Sequence, residues 1–183
     1  KELIERNKRR NGPIFGLNEE LSTQTENPVF EIYNKKYWAK DENKRLVENA
    51  SQKLKDFFSG KITPEDIFDI QKWSAYFAIV DMTSTYHGAL LKSVKLYYNP
   101  INGLFEPIPF DGHRLEPNYH KYNTDYDNRL LIDRVEAPIN EDEVRGTKWL
   151  KLFFYKKNGE LNSLFYNDYI RNLNIVSSKK YTD

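Results

Sequence analysis

The chain of 183 residues predicts an α+β domain, rich in helix and carrying a small antiparallel β-hairpin or sheet. Three patterns carry that expectation. Residues 41–59 and 63–84 each place apolar side chains at helical spacing. Val94, Leu96 and Tyr98 alternate with Lys95 and Tyr97, the period of a half-buried strand. Asn99-Pro100-Ile101-Asn102-Gly103 then supplies a fixed φ and a residue tolerant of positive φ, so the chain reverses into a return strand from Leu104 to Ile108.

Taken in order, residues 1–10 read as the start of an amphipathic helix, broken by Gly12-Pro13. Gly16 to Pro28 is polar and turn-rich, and Pro28 to Tyr33 reads as a short strand or an extended arm. Asp41 is the expected N-cap of a helix running to Ser59, closed by Gly60, with Leu46, Ala50, Leu54 and Phe57 on one face. Thr63-Pro64-Glu65-Asp66 starts the next helix: a capping hydroxyl, a proline suited to the first turn and two acids at the positive end of the dipole. That helix is expected to continue through Ile67, Ile70, Trp73, Phe77 and Val80 to about Ser84. Asp81 borders its buried face, where a carboxylate must find donors or carry a raised pKa. It either braces the loop at 83–93 or joins Asp111 in a polar site.

Beyond the hairpin, Pro109 stops strand pairing and leaves Asp111 in a loop. Residues 112–133 are rich in Asn, Tyr, His and Asp without a clear period, which marks a functional or mobile loop. Ile139 to Val144 reads as a short helical turn, and Trp149 to Tyr155 as a buried strand or helix. After a turn at Asn158-Gly159, Leu161 to Leu173 reads as a helix with Leu164, Phe165, Tyr169 and Leu173 inward.

Composition narrows the function classes. Net charge is +1, with basic runs confined to Lys8-Arg9-Arg10 and Lys179-Lys180, so a nucleic-acid coat protein is disfavoured. No apolar run approaches the ~20 residues that cross a bilayer. The chain has no cysteine, which excludes thiol chemistry, disulfides and zinc–thiolate sites within it. It also has no glycine-rich phosphate loop and no nucleophile elbow. Thirteen tyrosines and eleven phenylalanines supply a core, and Tyr97, Tyr98, Phe105 and Phe110 are expected in the core and in hairpin pairing. Lys92, Lys95 and Arg114 read as solubilising charges, with phosphate contact the alternative. The histidines, His87, His113 and His120, bracket Asp111. Were His87 and His113 to approach Asp111, imidazole and carboxylate together would suit manganese or zinc better than magnesium. Otherwise His87 bonds the backbone in a helix-ending loop and His120 lies at the surface.

Tyr76-Phe-Ala-Ile-Val-Asp-Met-Thr-Ser-Thr-Tyr-His-Gly88, followed by Lys95-Leu-Tyr-Tyr-Asn-Pro and Phe105-Glu-Pro-Ile-Pro-Phe-Asp111, resembles the spore-coat protein H (CotH) kinase-like family. That family has a helix ending near Asn-Trp-Asp, a hairpin of the type Tyr-Leu-Tyr-x-Asp-Pro-x-x-Gly-x-Phe, and then Pro-Trp-Asp. The resemblance covers about residues 68–112, is weaker over Arg9 to Ile14, and extends to a terminal helix region at Tyr166 to Lys179. It implies the C-terminal part of an atypical protein-kinase-like fold, and transfer of phosphate from ATP to protein serines with Mg or Mn. Asp111 then stands at the metal-binding aspartate, with Phe110 in place of the family's Trp. His87 occupies the general-base position, His113 a second metal position, and Asp81 is the reserve acid. Two positions where the family has acids are therefore histidine. Residues 1–42 do not read as the family's N-terminal sheet, so the chain is expected to be one partial domain, residues 1–183, of a larger protein. The resemblance implies a protein substrate or assembly partner, and a bacterial cell-envelope or extracellular location. Two alternatives stand beside the kinase: an inactive relative serving binding or assembly, and an unrelated metal hydrolase built on Asp111 and the histidines.

Overall fold

In the computed structural model, which describes residues 9–112, 129–138, 144 and 146–178, the hairpin forms at the expected place. Strands β3 (Lys95–Asn99) and β4 (Leu104–Ile108) pair from Lys95 with Ile108 to Asn99 with Leu104. Gly103 takes φ +69°, and the Asn99 and Asn102 side chains accept the N–H groups of Ile101 and Leu104. Pro107 is tolerated because β4 is an edge strand.

In the other half of the sheet, the strand at Ile14–Leu17 was not expected, whereas the one at Phe30–Ile32 lies within the segment read as a short strand or an extended arm. β1 (Ile14–Leu17) and β2 (Phe30–Ile32) complete a four-stranded antiparallel sheet in the order β2-β1-β3-β4, so a segment that runs into the stretch read as turn-rich supplies a central strand. Four residues are too few to show alternation, and β1 is specified by its partners instead. β3 consequently lies inside the sheet, and Leu96, Tyr97 and Tyr98 are all buried where a half-buried strand was expected. The Tyr97 hydroxyl donates to the Arg10 carbonyl at 2.6 Å, and Tyr98 packs on the Phe105 ring.

Two short helices, α1 (Glu19–Ser22) and α2 (Lys35–Trp38), precede α3 (Asp41–Phe58), in which Ala50, Leu54 and Phe57 are buried and Leu46 half-buried. Lys40 is the N-cap of α3, so Asp41 acts within the first turn, through the helix dipole, and not as the cap. Lys53 fastens α3 to the hairpin by donating to the carbonyls of Gly103 and Asp66.

Where one helix was expected from Thr63 to Ser84, there are two, α4 (Pro64–Ile67) and α5 (Ile70–Thr83). The start is as read, with Asp66 accepting both the N–H and the hydroxyl of Thr63 at 2.8 Å. The break comes at Phe68, which turns extended to bridge to Phe105, while the Asp69 N–H donates to the Phe105 carbonyl at 3.0 Å. Pairing beside β4 and burial of the Phe68 ring against Phe57 and Phe105 outweigh two residues of helix.

The chain divides into two compact units: residues 9–69 with 95–108, and residues 70–94 with the described residues after 108. In the second unit, α5 is accompanied by α6 (Leu131–Glu136), α7 (Lys151–Phe154) and α8 (Ser163–Val176). The ambiguous run at 149–155 is thus helical where it is regular. Trp73, Phe77, Leu150, Phe153, Phe154, Phe165 and Tyr169 are withdrawn from water almost completely. Each contributes about 1.5–3 kcal/mol by transfer alone. On α8 the inward stripe runs through Phe165 and Tyr169, with Leu173 half-buried, whereas Leu164 is 60% exposed, contrary to expectation. One residue along a helix is ~100° around it, enough to turn Leu164 out. Ser84 ends α5 in the left-handed region at φ +54°, with Thr85 N–H donating to the Val80 carbonyl and Ser84 N–H to that of Asp81.

The α+β, helix-rich expectation therefore holds, with a sheet larger than a hairpin. Among the described residues no helix is long and apolar enough to cross a membrane. The helical start at residues 1–8, Arg114, His113, His120, most of the 112–133 loop, residues 139–143 and Lys179-Lys180 lie outside the described residues.

Candidate functional site

His87 rides on a 3₁₀ turn, Tyr86–Ala89, two residues after the left-handed end of α5. That turn is held from several sides within the second unit. The Tyr76 hydroxyl donates to the Gly88 carbonyl at 2.6 Å, and burial pushes the Tyr76 pKa up to about 12. Trp149 Nε1 donates to the Ala89 carbonyl at 2.9 Å, and the Arg134 guanidinium lies 4.4 Å over the Tyr86 ring. A Cβ at Gly88 would stand 3.0 Å from the Gly112 Cα and 3.2 Å from the Tyr76 hydroxyl, so the two loops meet closely there and a larger residue would push its neighbours by a few tenths of an ångström.

This close approach brings His87 to Asp111 across 24 residues. His87 Nδ1 lies 3.0 Å from the Asp111 carbonyl, 3.5 Å from its carboxylate and 3.2 Å from the hydroxyl of buried Ser93. A carbonyl only accepts, so the bond to it places a proton on Nδ1 and makes Nε2 the basic nitrogen of the neutral ring. Asp111 is 48% exposed on its side chain and sits in the left-handed region at φ +53°, a conformation that a non-glycine residue adopts at a cost. The backbone reading of His87 and its approach to Asp111 are both realised.

Asp81 is placed differently. Its Oδ1 accepts the Leu131 N–H at the start of α6 at 3.0 Å, and its Oδ2 accepts the Tyr169 hydroxyl from α8 in a short bond. Burial pushes its pKa up to about 7. The Tyr169 and Leu131 donors and the Arg134 charge pull against that rise, and the Asp133 charge adds to it. Its side-chain bonds go to α6 and α8, neither to the 83–93 loop nor to Asp111.

Arrangement decides what can be bound. Among the described residues no three His, Cys, Asp or Glu side chains gather to hold a metal ion. Asp111 and His87 offer one carboxylate and one imidazole, a donor pair that does not fit the oxygen-rich shell of magnesium. His113, the other expected ligand, lies outside the described residues. Of the hairpin aromatics, Tyr97, Tyr98 and Phe105 are core as expected, but Phe110 is 56% exposed. Lys95 lies over the Tyr33 ring, in keeping with a sheet-face role. Sequence reasoning did not single out Ser93, Arg134 or the Tyr169–Asp81 bond. Their contacts span up to 88 residues and leave no local pattern.

No family model matches the chain, nor does any curated protein or solved structure.

Proposed function

We propose that the chain is a kinase-like module of the spore-coat protein H type that serves binding or assembly with a protein partner, in a bacterial envelope or surface structure, and does not transfer phosphate. The observation that carries this reading is how the acids are used. Phosphoryl transfer needs charge-stabilising metal and a base converging on one point. Asp81, the reserve acid, is committed to the packing of α5, α6 and α8. The acid at Asp111 faces an imidazole where the kinase arrangement calls for a second carboxylate.

The kinase reading keeps one specific support: the two positions that the resemblance pairs, His87 and Asp111, do meet. Calorimetric titration of ATP with Mg²⁺ or Mn²⁺ into the intact protein and its Asp111→Ala variant separates the two. We expect no metal-dependent ATP binding and no transfer of γ-phosphate to serine in an added protein acceptor. Metal-dependent binding that disappears with Asp111→Ala overturns the non-catalytic reading in favour of the kinase.

A further inference from the structure

We propose that Asp81 is a proton-sensitive latch, holding the first turn of α6 and the middle of α8 to α5, and that it loosens as the surroundings go from acid to alkaline. The geometry is that of a three-way tie. One carboxyl on α5 takes a backbone N–H from α6 on one oxygen and a phenol hydroxyl from α8 on the other. Asp81 is half-buried, and the residues making and flanking the tie, Phe77, Val80, Leu131 and Tyr169, are buried, so its carboxyl is partly withdrawn from water.

Among the described residues, its hydrogen bonds come from a hydroxyl and a backbone N–H, and the Arg134 charge acts on it through its field. From α6 come Arg134, whose guanidinium lies over the Tyr86 ring, and Asp133, whose carboxylate accepts the Leu130 N–H and repels a charge on Asp81. From α8 come Tyr169 itself and Tyr166; burial and the Asp81 charge push the Tyr169 pKa up. A neutral carboxyl is therefore favoured in the docked arrangement, in line with a pKa of about 7 against the ordinary 3.8. The docked form holds a proton that the solvated form has released. Docking is then strongest below the ordinary value and weakens through the interval up to about 7. The loss is about tenfold in the docking equilibrium per pH unit, the slope of one linked proton, and it levels off above that interval.

Hydrogen exchange on the intact protein, read as protection factors for the α6 amides between pH 5 and pH 8, tests the latch. Protection of α6 should fall at least tenfold over that range, and the profile should be flat in Asp81→Asn, which keeps an oxygen for the Leu131 N–H but carries no charge. A flat wild-type profile, or an equal slope in the variant, overturns the proposal. Should the variant fail to fold, carbon-13 titration of the Asp81 carboxyl in the wild-type protein decides. A midpoint near neutrality supports the latch, and one near that of a solvated aspartate overturns it.

Discussion

Glu106 in the sheet unit and Asp81 in the helical unit are both acids drawn into the protein, and they are held by opposite means. Glu106 is nearly inaccessible, yet its carboxylate has the Arg9 guanidinium at 3.0 Å on one oxygen and the Asn99 amide at 2.8 Å on the other. Asp81 receives a hydroxyl and a backbone N–H, both neutral, with Arg134 acting only through its field. A cation at contact offsets the cost of burying a carboxylate, whereas dipoles alone leave the protonated form favoured. Burial of an acid is thus answered by a cation at contact in one unit and by neutral donors in the other.

The largest effect should come from breaking the ion pair between Arg9 and Glu106. Arg9→Met takes the contact cation from that carboxylate and should cost about 1–3 kcal/mol in urea unfolding, partly recovered by adding Glu106→Gln. Wild-type stability in the single variant would mean that the ion pair carries no weight.

Tyr169→Phe sharpens the other side. The lost hydroxyl stabilises the charged form of Asp81 more than the neutral one. The cost should be about 2 kcal/mol above pH 8, where the carboxyl is ionised, and about 1 kcal/mol below pH 5. A cost independent of pH would erase the contrast with Glu106.

The smallest effect is a control. Ser84→Gly relieves the left-handed residue that ends the helix of Asp81 without touching the acid, and should stabilise by about 0.5–1 kcal/mol equally at every pH. A pH-dependent gain would show that the end of α5, and not the carboxyl, senses the proton.

These contrasts also mark what was readable in advance. The hairpin, its turn and the helices at 41–58 and 163–176 follow from local patterns: alternation, a glycine with positive φ, apolar stripes. The discomfort of Asp81 was legible as well, since a carboxylate bordering a buried helical face must be satisfied or protonated. Which groups satisfy it was not, because Leu131 and Tyr169 lie 50 and 88 residues away. The approach of His87 to Asp111 was anticipated only through a motif resemblance. Gly88 matters there for its distance from Gly112, which neither position displays alone.

By itself the sequence determined the class of fold, the hairpin, the long helical stripes and the absence of thiol chemistry, because each rests on residue type or on a short period. Only the tertiary structure decided that β1 joins the sheet, that the helix breaks at Phe68, that Leu164 faces out and that Asp81 serves packing. Each of those outcomes is a competition between a local preference and a partner far along the chain. The winner depends on the burial and hydrogen bonds that the partner offers.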